Sequence, residues 1–135
     1  MTRRRLMIGA IAGLLVAGCA GTSQYYHVEV PAGTPSATVH LVRANNFTGA
    51  AIAAPVFING MQIGDIGPGG HLKSYVPVGK ALVSSTGSPA SFVVEAGKIY
   101  YIEIGYSLQM WLWRPVFTAT QIDAARAADI AGRKL

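Results

Sequence analysis

The sequence predicts an all-β fold, a small antiparallel β-sandwich with one α-helix at its C-terminal end. Three observations carry this. Apolar and polar residues alternate with period two in short runs such as Thr38 to Arg43 and His71 to Val76, the pattern of half-buried strands. Turn signals rich in Gly, Pro and Asn return at intervals of about 8–12 residues, as sandwiches and barrels require. The tail from Thr120 to Leu135 then changes texture: it is rich in Ala and has no Gly before Gly132. Strand spacing alone does not separate a sandwich from a barrel. No period of about 20–50 residues recurs, which argues against a solenoid or a propeller.

Each element has its own signal. Val39 and Leu41 face one way and Thr38 and His40 the other, and β-branched residues suit such a pleat. Asn45 to Ala54 is polar and small-residued, a loop. Pro55 to Asn59 is the next strand, and Asn59-Gly60 is a hairpin turn, since both residues tolerate positive φ. Met61 to Ile66 returns, and Gly67-Pro68-Gly69-Gly70 turns again. His71 to Val76 alternates, Pro77 to Lys80 is a turn, and Ala81 to Thr86 is a strand that Ser88-Pro89 ends. Phe92 to Glu95 and Ile99 to Ile104 flank the turn Ala96-Gly97-Lys98. Leu108 to Phe117 alternates as one strand, and Pro115 places it at an edge or an end. In the tail, Thr120 with Asp123 resembles a capping arrangement. Asp123, Arg126, Asp129 and Arg133 fall at helical spacing, so opposite charges meet on one face. The helix is short and must rest its Ala and Ile face on the sandwich.

The N-terminal segment is of another kind. Arg3, Arg4 and Arg5 precede the apolar run Leu6 to Gly18, which is shorter than the roughly 20 residues that span a bilayer. The run ends in Val16-Ala17-Gly18-Cys19, and Cys19 is the single cysteine of the chain. A basic start, a short apolar stretch and small residues before a cut mark an export signal. Together they resemble a bacterial lipoprotein signal peptide, with Val16, Ala17 and Gly18 as its lipobox and Cys19 as the acylated first residue of the mature chain. Ordinary cleavage that leaves a free thiol is the competing reading; free thiols are uncommon in exported proteins. A twin-arginine signal resembles Thr2 to Leu6 less well than a general secretion signal does. Ala20 follows Cys19 where an inner-membrane lipoprotein of a Gram-negative cell usually has Asp. That resemblance implies the periplasmic face of the outer membrane, with inner-membrane anchoring as the other destination.

Removal of residues 1–18 leaves 117 residues and takes three of the eleven Lys and Arg with it, so the balance falls from +5 to +2. The high charge belongs partly to the signal, no basic stripe remains, and nucleic acid is not an expected partner. One cysteine allows no disulfide within the chain, so the fold must stand on its apolar core. The expected organisation is residues 1–18 as signal peptide, 19–36 as lipidated N-terminus and tether, 37–118 as the sandwich and 119–135 as the helix. Tyr25, Tyr26, Val28 and Val30 interrupt the tether and suit a short edge strand. If extended, a linker of about 17 residues holds a domain some tens of ångströms from the lipid.

Several stretches together resemble the DUF2846 domain of small bacterial lipoproteins. They are Ala37 to Arg43 with Asn46-Phe47-Thr48-Gly49, Val56 to Gly60 with Ile63-Gly64, Val76 to Lys80, and Val94 to Ile102. The same strand and turn order recurs in PEGA-type and transthyretin-like sandwich domains. The resemblance covers about residues 37–104 and implies a compact sandwich on a lipid anchor with no catalytic residues.

Signs of chemistry are sparse. His27, His40 and His71 stand at no zinc-site spacing; His40 and His71 could meet across strands, but they read first as two exposed strand histidines. Glu95 and Glu103 are near enough in sequence to approach one another, but nothing indicates the cleft that a hydrolytic carboxylate pair needs. Gly67 to Gly70 lacks the Lys and Ser/Thr of a phosphate loop. Asp65 beside it lacks the further oxygen ligands of a calcium site. No catalytic residue, cofactor or metal is expected. The densest cluster of large side chains is Met110 to Arg114. On one strand Trp111 and Trp113 share a face, packed under the helix or offered to a protein, a glycan or the lipid interface. The sequence therefore points to a noncatalytic, membrane-anchored accessory module that binds an envelope protein. The other reading is a glycan- or peptide-binding module that uses Trp111 and Trp113.

Overall fold

The computed structural model describes residues 24–25, 32–45, 52–109 and 114–135. Among these the chain forms two sheets and a helix. The strands are β1 (Gln24–Tyr25), β2 (Ser36–Val42), β3 (Ala54–Ile58), β4 (Met61–Ile66), β5 (His71–Pro77), β6 (Gly79–Ser84), β7 (Ala90–Val94), β8 (Ile99–Gln109) and β9 (Arg114–Ile122), followed by α1 (Ala124–Ala131). The first sheet runs in the order β1-β4-β3-β6-β7 and the second in the order β5-β2-β8-β9. The expected sandwich is therefore the observed architecture. β2 pairs in parallel with β8, while every other neighbouring pair is antiparallel.

The core lies between the sheets. Val39 and Leu41 of β2, Ile102 and Ile104 of β8 and Phe117 of β9 meet Val56 of β3, Ile63 and Ile66 of β4 and Val83 of β6 in one buried cluster. Side chains of this size contribute about 1.5–3 kcal/mol each when fully buried. The hairpin between β3 and β4 turns at Asn59 and Gly60, with φ of 51° and 80°, as the Asn-Gly signal predicts. The Asn59 side chain also accepts a hydrogen bond from the Leu82 backbone at 2.9 Å, which ties the turn to β6. Farther along, the register slips between Val56 and Phe57, and Ile63 is the extra residue of a bulge.

The structure corrects the chain's last third in two places. Leu108 to Phe117 is not one strand: β8 continues to Gln109, and β9 comes back from Arg114, with Gln109 opposite Arg114. The helix does not begin at Thr120. Thr120, Gln121 and Ile122 continue β9 opposite Glu103, Ile102 and Tyr101, because the open edge of β8 offers them a full ladder of backbone partners. Asp123 is the N-cap, and its carboxylate accepts a hydrogen bond from the Arg126 backbone at 2.7 Å. The helix ends where Gly132 takes φ of 68°, a left-handed cap natural to Gly. It lies on β8 and β2, with Ala127 wholly buried.

Part of the short edge strand expected around Tyr25 is present. Gln24 and Tyr25 pair with Asp65 and Gly64 at the open edge of β4; Tyr26, Val28 and Val30 lie outside the described residues.

A buried arginine holds the end of β2. Arg43 is only 3% exposed. Its Nη1 donates to the carbonyls of Ile52 at 2.6 Å and Ile66 at 2.8 Å, and its guanidinium lies 4.6 Å from the Phe117 ring centroid, within cation–π range. Arg43→Met keeps the apolar stem and removes the donors, leaving the buried Ile66 carbonyl without this partner. A loss of about 1–3 kcal/mol is expected in denaturant unfolding; unchanged stability would show that these bonds do not hold the fold.

Candidate functional site

The second sheet has an outer face, and its central strand puts unusual residues there. Ala37, Val39 and Leu41 point into the core, so Thr38, His40 and Val42 point outward. Register then sets the neighbours. His40 stands between Lys73 of β5 and Tyr101 of β8, and Val42 stands between His71 and Glu103. Because α1 crosses this face, His40 is buried to 7% exposure. The two histidines are not the solvated pair that the sequence suggests: helix cover and strand pairing bring residues 31 positions apart into contact.

The geometry is a chain of nitrogen atoms. His40 Nδ1 lies 2.8 Å from His71 Nε2, and the rings are 5.0 Å apart at 21°. His40 also stacks on Tyr101 at 5.4 Å and 12°. Arg133, just beyond the helix, places Nη2 3.2 Å from His71 Nδ1. A guanidinium only donates, so His71 Nδ1 accepts. The proton of neutral His71 is then on Nε2 and is donated to His40 Nδ1, which puts the proton of His40 on its own Nε2. These assignments follow from the network.

Electrostatics favour the same neutral state. Desolvation lowers the pKa of His40, and Lys73 lowers it further. The pKa of His71 is lowered by desolvation, then by His40, Arg133 and Lys73. Arg126 stands on the same side of the helix, 3.5 Å from Glu103 and 3.4 Å from Asp129. The cluster thus fastens the end of α1 to β5 and β2. Among the described residues neither imidazole bonds a hydroxyl, a thiol or a carboxylate, and no group of three His, Cys, Asp or Glu could hold a metal ion. No local motif foretells this cluster. The outward register of His40 was legible and a meeting with His71 was open, but it depends on the β2–β5 pairing.

The residues singled out from the sequence are placed as follows. Cys19 and the expected lipobox residues, Val16, Ala17 and Gly18, lie outside the described residues, as do His27, Trp111 and Trp113. The described residues on either side, Gln109 and Arg114, stand opposite one another in the β8–β9 pairing. Glu95 and Glu103 are not brought together as a pair: Glu95 bonds Lys98 in the turn before β8, and Glu103 meets Arg126 beneath the helix. Tyr100 and Tyr101 take opposite faces, Tyr100 against Phe92 and the core, Tyr101 against His40. Among the described residues no helix is long and apolar enough to cross a membrane. Comparison with known proteins finds no matching family model, no matching curated protein and no matching solved structure.

The histidine cluster makes stability depend on pH. Both imidazoles have folded-state pKa values below the free value of 6.5, so the unfolded chain takes up protons first as pH falls. Their contribution is present above about pH 6.5 and is lost as pH drops through the lowered folded values. Denaturant midpoints measured between about pH 7.5 and 5 should fall, and fall less steeply in the double variant His40→Gln, His71→Gln. A flat profile in the unaltered protein would contradict this arrangement.

Proposed function

We propose that the chain is an envelope lipoprotein of the kind the DUF2846 likeness implies. Acylated Cys19 holds it on the periplasmic face of the outer membrane, and its sandwich acts without catalysis as an accessory module that binds an envelope protein. The observation that carries this reading is the short join between anchor and fold. The lipobox ends at Cys19, and Gln24 is already paired with Asp65. A signal peptide of this type therefore runs almost directly into a folded body. Ala20, in place of Asp, favours the outer membrane.

The use of polar groups in the fold supports a noncatalytic role. Arg43 serves backbone carbonyls, and His40 and His71 serve the helix clamp. The mechanism is tethering. Each buried methylene of an acyl chain contributes about 0.8 kcal/mol of membrane affinity, so several chains give a lasting anchor. Confinement at the membrane then raises the local concentration of the module for its partner.

Cys19→Ser tests the anchor. The variant is expected to lose the acyl mass of the mature protein and to leave the membrane fraction. Crosslinking in intact cells should capture one envelope protein with the unaltered chain and lose it with the variant. Membrane sedimentation unchanged by Cys19→Ser would overturn the reading.

A further inference from the structure

We infer that the outer edge of β7 pairs with the same edge of a second copy of this chain, antiparallel about a two-fold axis at Phe92, so that the first sheets of the two copies join into one. This goes beyond the proposed function and does not rest on acylation of Cys19.

The first observation is that this edge is bare. β7 ends the first sheet, and Ala90-Ser91-Phe92-Val93-Val94 holds no charge and no proline, two of the devices that keep sheet edges apart. The other described edges are guarded. β5 carries exposed Lys73 and Pro77. β9 begins with Arg114-Pro115, and farther on its Phe117 carbonyl and Ala119 N–H are bonded by the Gly87 N–H and the Ser88 carbonyl. β1 lies along the edge of β4 at Asp65 and Gly64.

The second observation is what the edge presents. Leu82 turns both its N–H and its carbonyl toward Asn59, away from β7. Backbone groups alternate in direction along an antiparallel strand, so Ala81 and Val83 face β7 and exchange bonds with Phe92 and Ala90. The N–H and carbonyl of Ser91 and of Val93 therefore point outward, and no group among the described residues bonds them.

A two-fold axis at Phe92 matches these groups to themselves. Ser91 of each copy stands opposite Val93 of the other, and the two pairs exchange four backbone hydrogen bonds. The ladder also closes at both ends. The next pair is Pro89 opposite Glu95: proline has no N–H, and the Glu95 N–H is already donated to the Tyr100 hydroxyl. This fit of the strand's two ends to each other is what selects a second copy over an unrelated strand. Self-pairing sets like near like, which repels along a charged strand. Here it sets Phe92 against Phe92, at the closer cross-strand spacing of about 4.5 Å. Each Phe92 is half-buried against Tyr100, so an aromatic cluster continues across the axis. On the outer face the Val93 side chains, 64% exposed in the single chain, become diagonal neighbours.

The test uses the full chain, exported with its own signal and purified in detergent with a reductant. Light scattering, corrected for bound detergent, should give the mass of two chains. Val93→Lys should halve that mass, while Val78→Lys, also at an exposed position but away from β7, should leave it unchanged. Ser91→Cys and Val93→Cys chains, co-expressed in cells and oxidised, should crosslink to each other and neither to itself. Opposite residues lie about 5.5 Å apart, whereas like positions across the axis exceed the roughly 7 Å that a disulfide spans. Cys19 is common to all these chains, so any crosslink it makes appears equally in each. A one-chain mass would overturn the inference, as would a two-chain mass that survives Val93→Lys or equal crosslinking of Ser91→Cys alone. Capture of a different protein by Ser91→Cys, with a one-chain mass, would overturn the second copy as the occupant of this edge.

Discussion

The fold depends on β2 being buried on both faces. Its inner residues Ala37, Val39 and Leu41 belong to the core between the sheets, and its outer residues His40 and Val42 are covered as well. Most strands of a sandwich have one wet face. This one lies between β5 and β8 in its sheet and between the opposite sheet and the helix across it. With no disulfide open to a chain with one cysteine, the three layers are held together by contacts that converge on these seven residues.

That two-sided burial explains the polar groups beneath the helix. His40 follows from the alternation that sends Val39 and Leu41 inward, and a polar ring so placed must find a partner. His71 supplies it from β5, and Arg133 completes the network from beyond the helix. Arg43 meets the same demand at the end of β2 with backbone carbonyls. Both sets of contacts stabilise the architecture.

Local chemistry was legible in the sequence, and nonlocal pairing was not. Asn59-Gly60 announced its turn because the two positive φ values are a property of those residues. Met61 to Ile66 kept its bounds because turns stand on both sides. The parallel pairing of β2 with β8 has no signature in either strand, since it joins segments far apart in the chain. Gly105 and Ser107 blurred the alternation that would have extended β8 to Gln109. Thr120 to Ile122 read as helix because the edge of β8 that draws them into the sheet is invisible locally. The Val16-Ala17-Gly18-Cys19 reading rests on contiguous residues that lie outside the described structure. The His40–His71 contact exists only after the register of β2 and β5 is known.

Native-state hydrogen exchange tests the central role of β2 most directly. The amides of Val39, Leu41 and Val42 should exchange only through global unfolding, at the slowest rates in the molecule, while those of β7 at the edge of the first sheet open at lower free energy. If the β2 amides exchanged as fast as those of β7, a strand buried on both faces would not be what holds the layers together.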